Sequence, residues 1–215
     1  MSFRLWNVIF IFFMGLCYAE EPSIFKEGAD TAVTNNFFIL TGGPGSGKTT
    51  LIEELNRRGF FSVDEVARKI IQEEMASGGD ALPWNNIGQR IEKMIVRSIE
   101  TYQEALKRSE PIIFDRGVLD YLGYAYRTNT PISEELEKTA LSLVYNKKIF
   151  LAPPWAEIYC NDTERKQSFE EALEVYQDLF KIYSDFGYEI IQLPKASVES
   201  RADFIIGHIR AERSN

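Results

Sequence analysis

Apolar residues gather in five short runs rich in β-formers, and longer stretches with helical spacing separate them. Phe37-Phe38-Ile39-Leu40-Thr41 is continuous and reads as a strand buried on both faces. Further strand patterns lie at 60–64, 111–115, 148–151 and 188–193. The first helix pattern, 50–58, puts Leu51, Ile52 and Leu55 on one face and stops at Gly59. Others cover 65–76, 87–108, 118–127, 133–146, 166–185 and 198–212, with Ser133 and Ser197 as N-caps. Strands alternating with helices predict an α/β three-layer αβα sandwich around a five-stranded, mainly parallel sheet. Ligands of such sheets bind at the carboxyl ends of the strands. Gly42, Asp64, Asp115 and Pro153 fall at those ends.

The amino-terminal segment has a different pattern. Arg4 precedes an apolar run over 8–16, followed by Cys17-Tyr18-Ala19. Residues 1–19 read either as a secretory signal peptide cut after Ala19 or as an apolar arm docked on the domain. The run is too short to span a bilayer of roughly 30 Å. Residues 20–36 read as a polar linker and 37–213 as one domain. A leader points to secretion or the periplasm, whereas any chemistry that draws on a metabolite scarce outside cells would argue for the cytoplasm.

Composition excludes several classes of function. The chain has 215 residues and a formal charge of −8, spread along its length, which disfavours a nucleic-acid partner. Two cysteines, Cys17 and Cys160, cannot build a disulfide scaffold or a four-cysteine zinc site, and the single His208 gives no histidine-based metal site.

The chemistry is concentrated after the first strand. Gly42-Gly43-Pro44-Gly45-Ser46-Gly47-Lys48-Thr49 fits G-x-x-x-x-G-K-[ST] without mismatch. Such a loop curls so that backbone N–H groups face phosphate oxygens, and the helix behind it adds its positive end. Lys48 is expected at the β- and γ-phosphates, the Thr49 hydroxyl on Mg²⁺, and Thr50 among the nucleotide contacts. Asp115 ends a strand and is read as a second Mg²⁺ ligand, as a base toward an acceptor hydroxyl, or as a helix cap. Arg116 stands beside it. Glu65 and Arg68 face the phosphates and an acceptor, or pair with each other three positions apart on a helix. Asp120 reads as a solvated helix residue. Asn161-Asp162-Thr163-Glu164-Arg165-Lys166, a charged segment before a long helix, suits a helical lid that brings Arg165 over transferring phosphates. Trp84 and Trp155 are candidates for ring stacking or plain packing. Arg201 follows the last strand, near where an adenine ring lies in such folds.

Together, the loop, Glu65-Val66-Ala67-Arg68, Phe114-Asp115-Arg116-Gly117, Leu151-Ala152-Pro153-Pro154-Trp155, Asn161-Asp162-x-x-Arg165 and Ser197-Val198-x-x-Arg201 resemble one group of P-loop NTPases. This is the ATPase or kinase-like AAA domain related to the NadR nicotinamide-riboside kinase domain, over about 37–210. The resemblance implies a P-loop nucleoside-kinase fold, binding of ATP or GTP with Mg²⁺, and phosphoryl transfer to a small nucleoside- or vitamin-like hydroxyl. It leaves open a nucleotide-dependent ATPase or GTPase switch without a metabolite acceptor, and some relatives engage lipid.

Overall fold

The central strand is hydrophobic without a break because both of its faces are covered. β1 (Phe37–Gly42) is buried at every position. Phe37 and Ile39 point into one core, Phe38 and Leu40 into the other, as the two-residue period of a strand requires. The computed structural model describes residues 35–159 and 168–212. β2 (Phe61–Val63), β3 (Ile112–Asp115), β4 (Lys148–Ala152) and β5 (Glu189–Gln192) complete a five-stranded sheet of order β2-β3-β1-β4-β5. All four pairings are parallel, with Phe37 opposite Ile112 and Ile39 opposite Ile149.

The helices are α1 (Lys48–Arg57), α2 (Val66–Ser77), α3 (Ile87–Ala105), α4 (Val118–Arg127), α5 (Glu134–Leu141), α6 (Phe169–Asp185) and α7 (Val198–Glu212). Leu51, Ile52 and Leu55 of α1 join Ala202, Ile205 and Ile209 of α7 on one face of the sheet. The larger core on the other face takes side chains from α2 to α6. Within it Tyr102 meets Phe37 and Tyr145 edge to face, both with ring centroids 5.3 Å apart. Full burial of such side chains contributes about 1.5–3 kcal/mol each and supplies most of the stability.

Two helices differ from the sequence expectation. The pattern over 133–146 continues past Leu141, yet α5 ends there. The following backbone has other partners: Tyr102 Oη donates to the Val144 carbonyl at 2.7 Å, and Asn146 N–H donates to the Phe37 carbonyl at 2.8 Å. The Asn146 side chain also donates to the Asn35 carbonyl at 2.8 Å, so this stretch leads into β4 instead. α6 starts at Phe169 rather than at 166, because Ser168 and Glu171 close a reciprocal cap. The leader at 1–19, most of the linker and the lid segment with Arg165 lie outside the described residues. Among the described residues no helix is long and apolar enough to cross a membrane.

Candidate active site

β1 runs into the glycine-rich loop, and α1 begins at its last lysine, so the motif occupies a strand-to-helix turn. Gly47 caps α1 with φ +77°, a left-handed conformation that a side chain disfavours. Gly45 also has positive φ, +68°, and a Cβ there would sit 2.5 Å from the Tyr159 ring. Lys48 is buried and arches back over the loop. Its Nζ donates to the Gly42 carbonyl at 2.8 Å and the Gly43 carbonyl at 2.9 Å. Ser46 Oγ donates to the Gly43 carbonyl at 2.8 Å, which tightens the same ring. Thr49 and Thr50 are exposed on the first turn of α1, and Thr50 Oγ1 donates to the Gly47 carbonyl at 3.2 Å.

A cavity of about 480 Å³ opens over this loop. Thr49, Asp115, Glu65, Trp155 and Arg201 line it, along with the loop from Pro44 to Thr50. A second cavity of about 700 Å³ lies beside it, walled by Trp84, Arg90, Tyr121, Tyr124 and Arg127, with Arg116 and Asp120 at its polar end. Pro44 and Glu65 line both cavities. The two tryptophans therefore divide, Trp155 over the phosphate loop and Trp84 in the neighbouring cavity.

Arg116 sits just past β3 with φ +76°, unusual for a residue bearing a side chain. Its Nε donates to Glu65 Oε1 at 2.8 Å and its Nη1 to Asp120 Oδ1 at 3.0 Å. Burial works against the guanidinium's charge, but Glu65 and Asp120 outweigh it and raise its pKa well above the usual value. Glu65 is thus tied to Arg116 across 51 residues of chain.

Asp120 corrects the expectation of a solvated helix residue. It is 7% exposed and accepts four hydrogen bonds: from Thr41 Oγ1 at 2.5 Å, Tyr183 Oη at 2.6 Å, Arg116 Nη1 and Gly117 N–H at 3.1 Å. It reaches back to the N–H that opens α4, so the cap considered for Asp115 is supplied by Asp120. An acid three residues after a glycine at a helix start was the available signal. Asp115 itself lines the phosphate-loop cavity beside Thr49. Arg201 lines the same cavity, next to Ser197 and Val198. It is 2% exposed, and its Nη2 donates to the Ser46 carbonyl at 3.1 Å.

A family model described as an AAA domain, AAA_28, matches residues 37–201, which spans β1, the loop, both cavities and the start of α7. The chain belongs to this AAA domain family. Among solved structures, NadR protein in complex with NR aligns with TM-score 0.61 and 19% identity, over 80% of this chain and 51% of that one. Deoxyadenosine kinase from M. mycoides aligns with TM-score 0.53 and 16% identity, over 81% of this chain and 99% of that one. NadR with NAD and AMP-PNP aligns with TM-score 0.56 and 17% identity, over 81% of this chain and 51% of that one. The chain thus spans about half the length of NadR, and at these identities the likeness is one of fold. No curated protein matches. As an AAA domain with an intact phosphate loop in an α/β parallel sheet, the chain is a nucleotide-binding P-loop protein.

Proposed function

We propose that the protein is a kinase that transfers the γ-phosphoryl group of ATP to a hydroxyl of a small molecule held in the second cavity. The observation that carries this reading is Glu65, which lines both cavities where they meet and is held there by Arg116. A nucleotide on the phosphate loop directs its terminal phosphate toward that junction, because the loop and α1 bind phosphates through their N–H groups.

Mg²⁺ suits the donors present: a threonine hydroxyl and an aspartate carboxylate are the hard oxygens it prefers. Thr49 and Asp115 would hold it, and it would offset negative charge on the phosphates. Lys48 would exchange the Gly42 and Gly43 carbonyls for β- and γ-phosphate oxygens. Gly42, Gly43, Pro44, Gly45, Ser46, Gly47 and Thr50 complete the cradle. An acceptor oxygen attacks the γ-phosphorus, the bond from that phosphorus to the β–γ bridging oxygen breaks, and ADP leaves with the electron pair. The acceptor's proton passes to the Glu65 carboxylate, with Asp115 the alternative base. Arg116 orients Glu65 from the wall of the second cavity, and Arg116 and Arg165 would stabilise the transferring phosphoryl group. Trp84, Tyr121 and Tyr124 offer aromatic surface for a planar acceptor. The kinship in fold with a deoxyadenosine kinase and with NadR bound to NR supports a nucleoside-like acceptor.

The test is transfer of radiolabel from γ-labelled ATP, with Mg²⁺, across a panel of nucleosides and vitamin-type alcohols. We expect a labelled product with at least one of them and its loss in Glu65→Gln. A panel without product, from protein that still binds ATP, overturns the kinase and leaves a nucleotide-dependent switch.

A further inference from the structure

Arg201 is the largest fully buried side chain among the described residues, and it packs against the phosphate loop at the wall of the cavity over it. Its one side-chain hydrogen bond goes to the Ser46 carbonyl, and its Nε has no hydrogen-bond partner among the described residues. A Cβ built on Gly47 would lie 2.9 Å from its Nη1, so the guanidinium packs against the Ser46–Gly47 peptide. No carboxylate pairs with it among the described residues. Burial alone lowers its pKa, with no acidic neighbour to offset the effect, although a guanidinium stays charged at any physiological pH.

Geometry gives this arrangement a direction. A trans peptide is planar, so its C=O and the following N–H point opposite ways. With the Ser46 carbonyl turned to Arg201, the Gly47 N–H is aimed the opposite way, away from the guanidinium. A buried charge without a partner is costly, and such charges are found paired or coordinating. The group that arrives above this one is a chain of phosphates.

We infer that Arg201 is a positioning residue for polyphosphate: it fixes the Ser46–Gly47 peptide so that Gly47 N–H meets a phosphate oxygen, and the polyphosphate is its counter-charge. The assignment needs only that the loop takes a polyphosphate; it does not depend on transfer to an acceptor. It also moves Arg201 away from base recognition, so its influence is the same whichever purine is attached.

The test compares full-length wild-type protein with Arg201→Met and Arg201→Lys. The readouts are calorimetric titration with Mg²⁺–ATP, Mg²⁺–GTP and inorganic tripolyphosphate, and thermal unfolding without ligand. Losing one charge-assisted contact and its orientation corresponds to about a 10- to 100-fold weaker affinity. We expect that loss in Arg201→Met for all three ligands alike. The ligand-free melting temperature should stay level or rise, because an uncompensated charge has been removed. Arg201→Lys keeps the charge but not the fork and should recover part of the affinity. A variant that weakens ATP but not tripolyphosphate makes Arg201 a base contact and overturns the inference. A ligand-free melting temperature lowered by several degrees in Arg201→Met, with affinity unchanged in Arg201→Lys, makes it a structural brace and overturns it as well. So does a wild-type protein that does not bind tripolyphosphate. The kinase reading fails separately, if nucleotide binds and no acceptor is phosphorylated.

Discussion

Replacing Asp120 by alanine leaves four donors without an acceptor inside the protein. Thr41 Oγ1, Tyr183 Oη, Arg116 Nη1 and Gly117 N–H all converge on this one carboxylate. Each hydrogen bond to a charged group is worth about 1.5–3 kcal/mol, but four in one network are not additive. Arg116 also keeps Glu65, so its charge is not stranded. Breaking one side of a buried ion pair costs about 3–5 kcal/mol, and Asp120→Ala is expected near 4 kcal/mol. For a domain of this size that corresponds to a fall in melting temperature of roughly 8–16 °C. Asp120→Asn keeps the shape but turns an NH₂ toward two of the donors, so it should recover only part of the loss. Circular dichroism melts of the three proteins in one buffer measure this. A drop under about 3 °C for Asp120→Ala would show that the network is solvated and that the solvated reading of Asp120 was right after all.

Three other outcomes follow from the same structure. Tyr121 is 5% exposed and its Oη has no hydrogen-bond partner among the described residues, so Tyr121→Phe should leave stability level or raise it by up to about 1 kcal/mol in a urea titration; a clear loss refutes the assignment. Saturating ATP with Mg²⁺ should stabilise the wild type by about 2.7 kcal/mol at a hundredfold excess over Kd, whereas Lys48→Ala should lose most of the thermal upshift; equal shifts in both would remove Lys48 from the site. Arg57 and then Arg58 hold the Glu54 carboxyl down from 4.5 to about 2. A depressed folded-state pKa contributes stability above about pH 4.5 that is lost as pH falls toward 2, so Glu54→Gln should flatten that part of the acid-unfolding profile, and an unchanged slope contradicts the pairing.

The fold was readable because burial on both faces leaves a plain mark: five apolar runs became five strands, and the phosphate loop fell at the end of the first one. Strand order was not readable, since nothing in β1 alone says that β3 and β4 flank it. Lys48, Thr49 and Asp115 line a common cavity as their motif positions implied. Asp120 was misplaced for a physical reason. A charged side chain on a helix is usually solvated, and only contacts from Thr41 and Tyr183, distant in sequence, reveal that this one is buried. The extended stretch before β4 was hidden likewise, because its partners Tyr102 and Phe37 lie 42 residues or more away.

The division of labour between the two faces of the sheet bears on how the protein's selectivity can be altered. The helices that shape the larger cavity belong to the α2–α6 layer, while the phosphate loop runs into α1 and also touches α7 and α6. Trp84, Arg90, Tyr124 and Arg127 line the larger cavity and not the one over the phosphate loop, so substitutions there alter that chamber without touching the loop's own wall. A library confined to those four positions varies one chamber and leaves the other as it is.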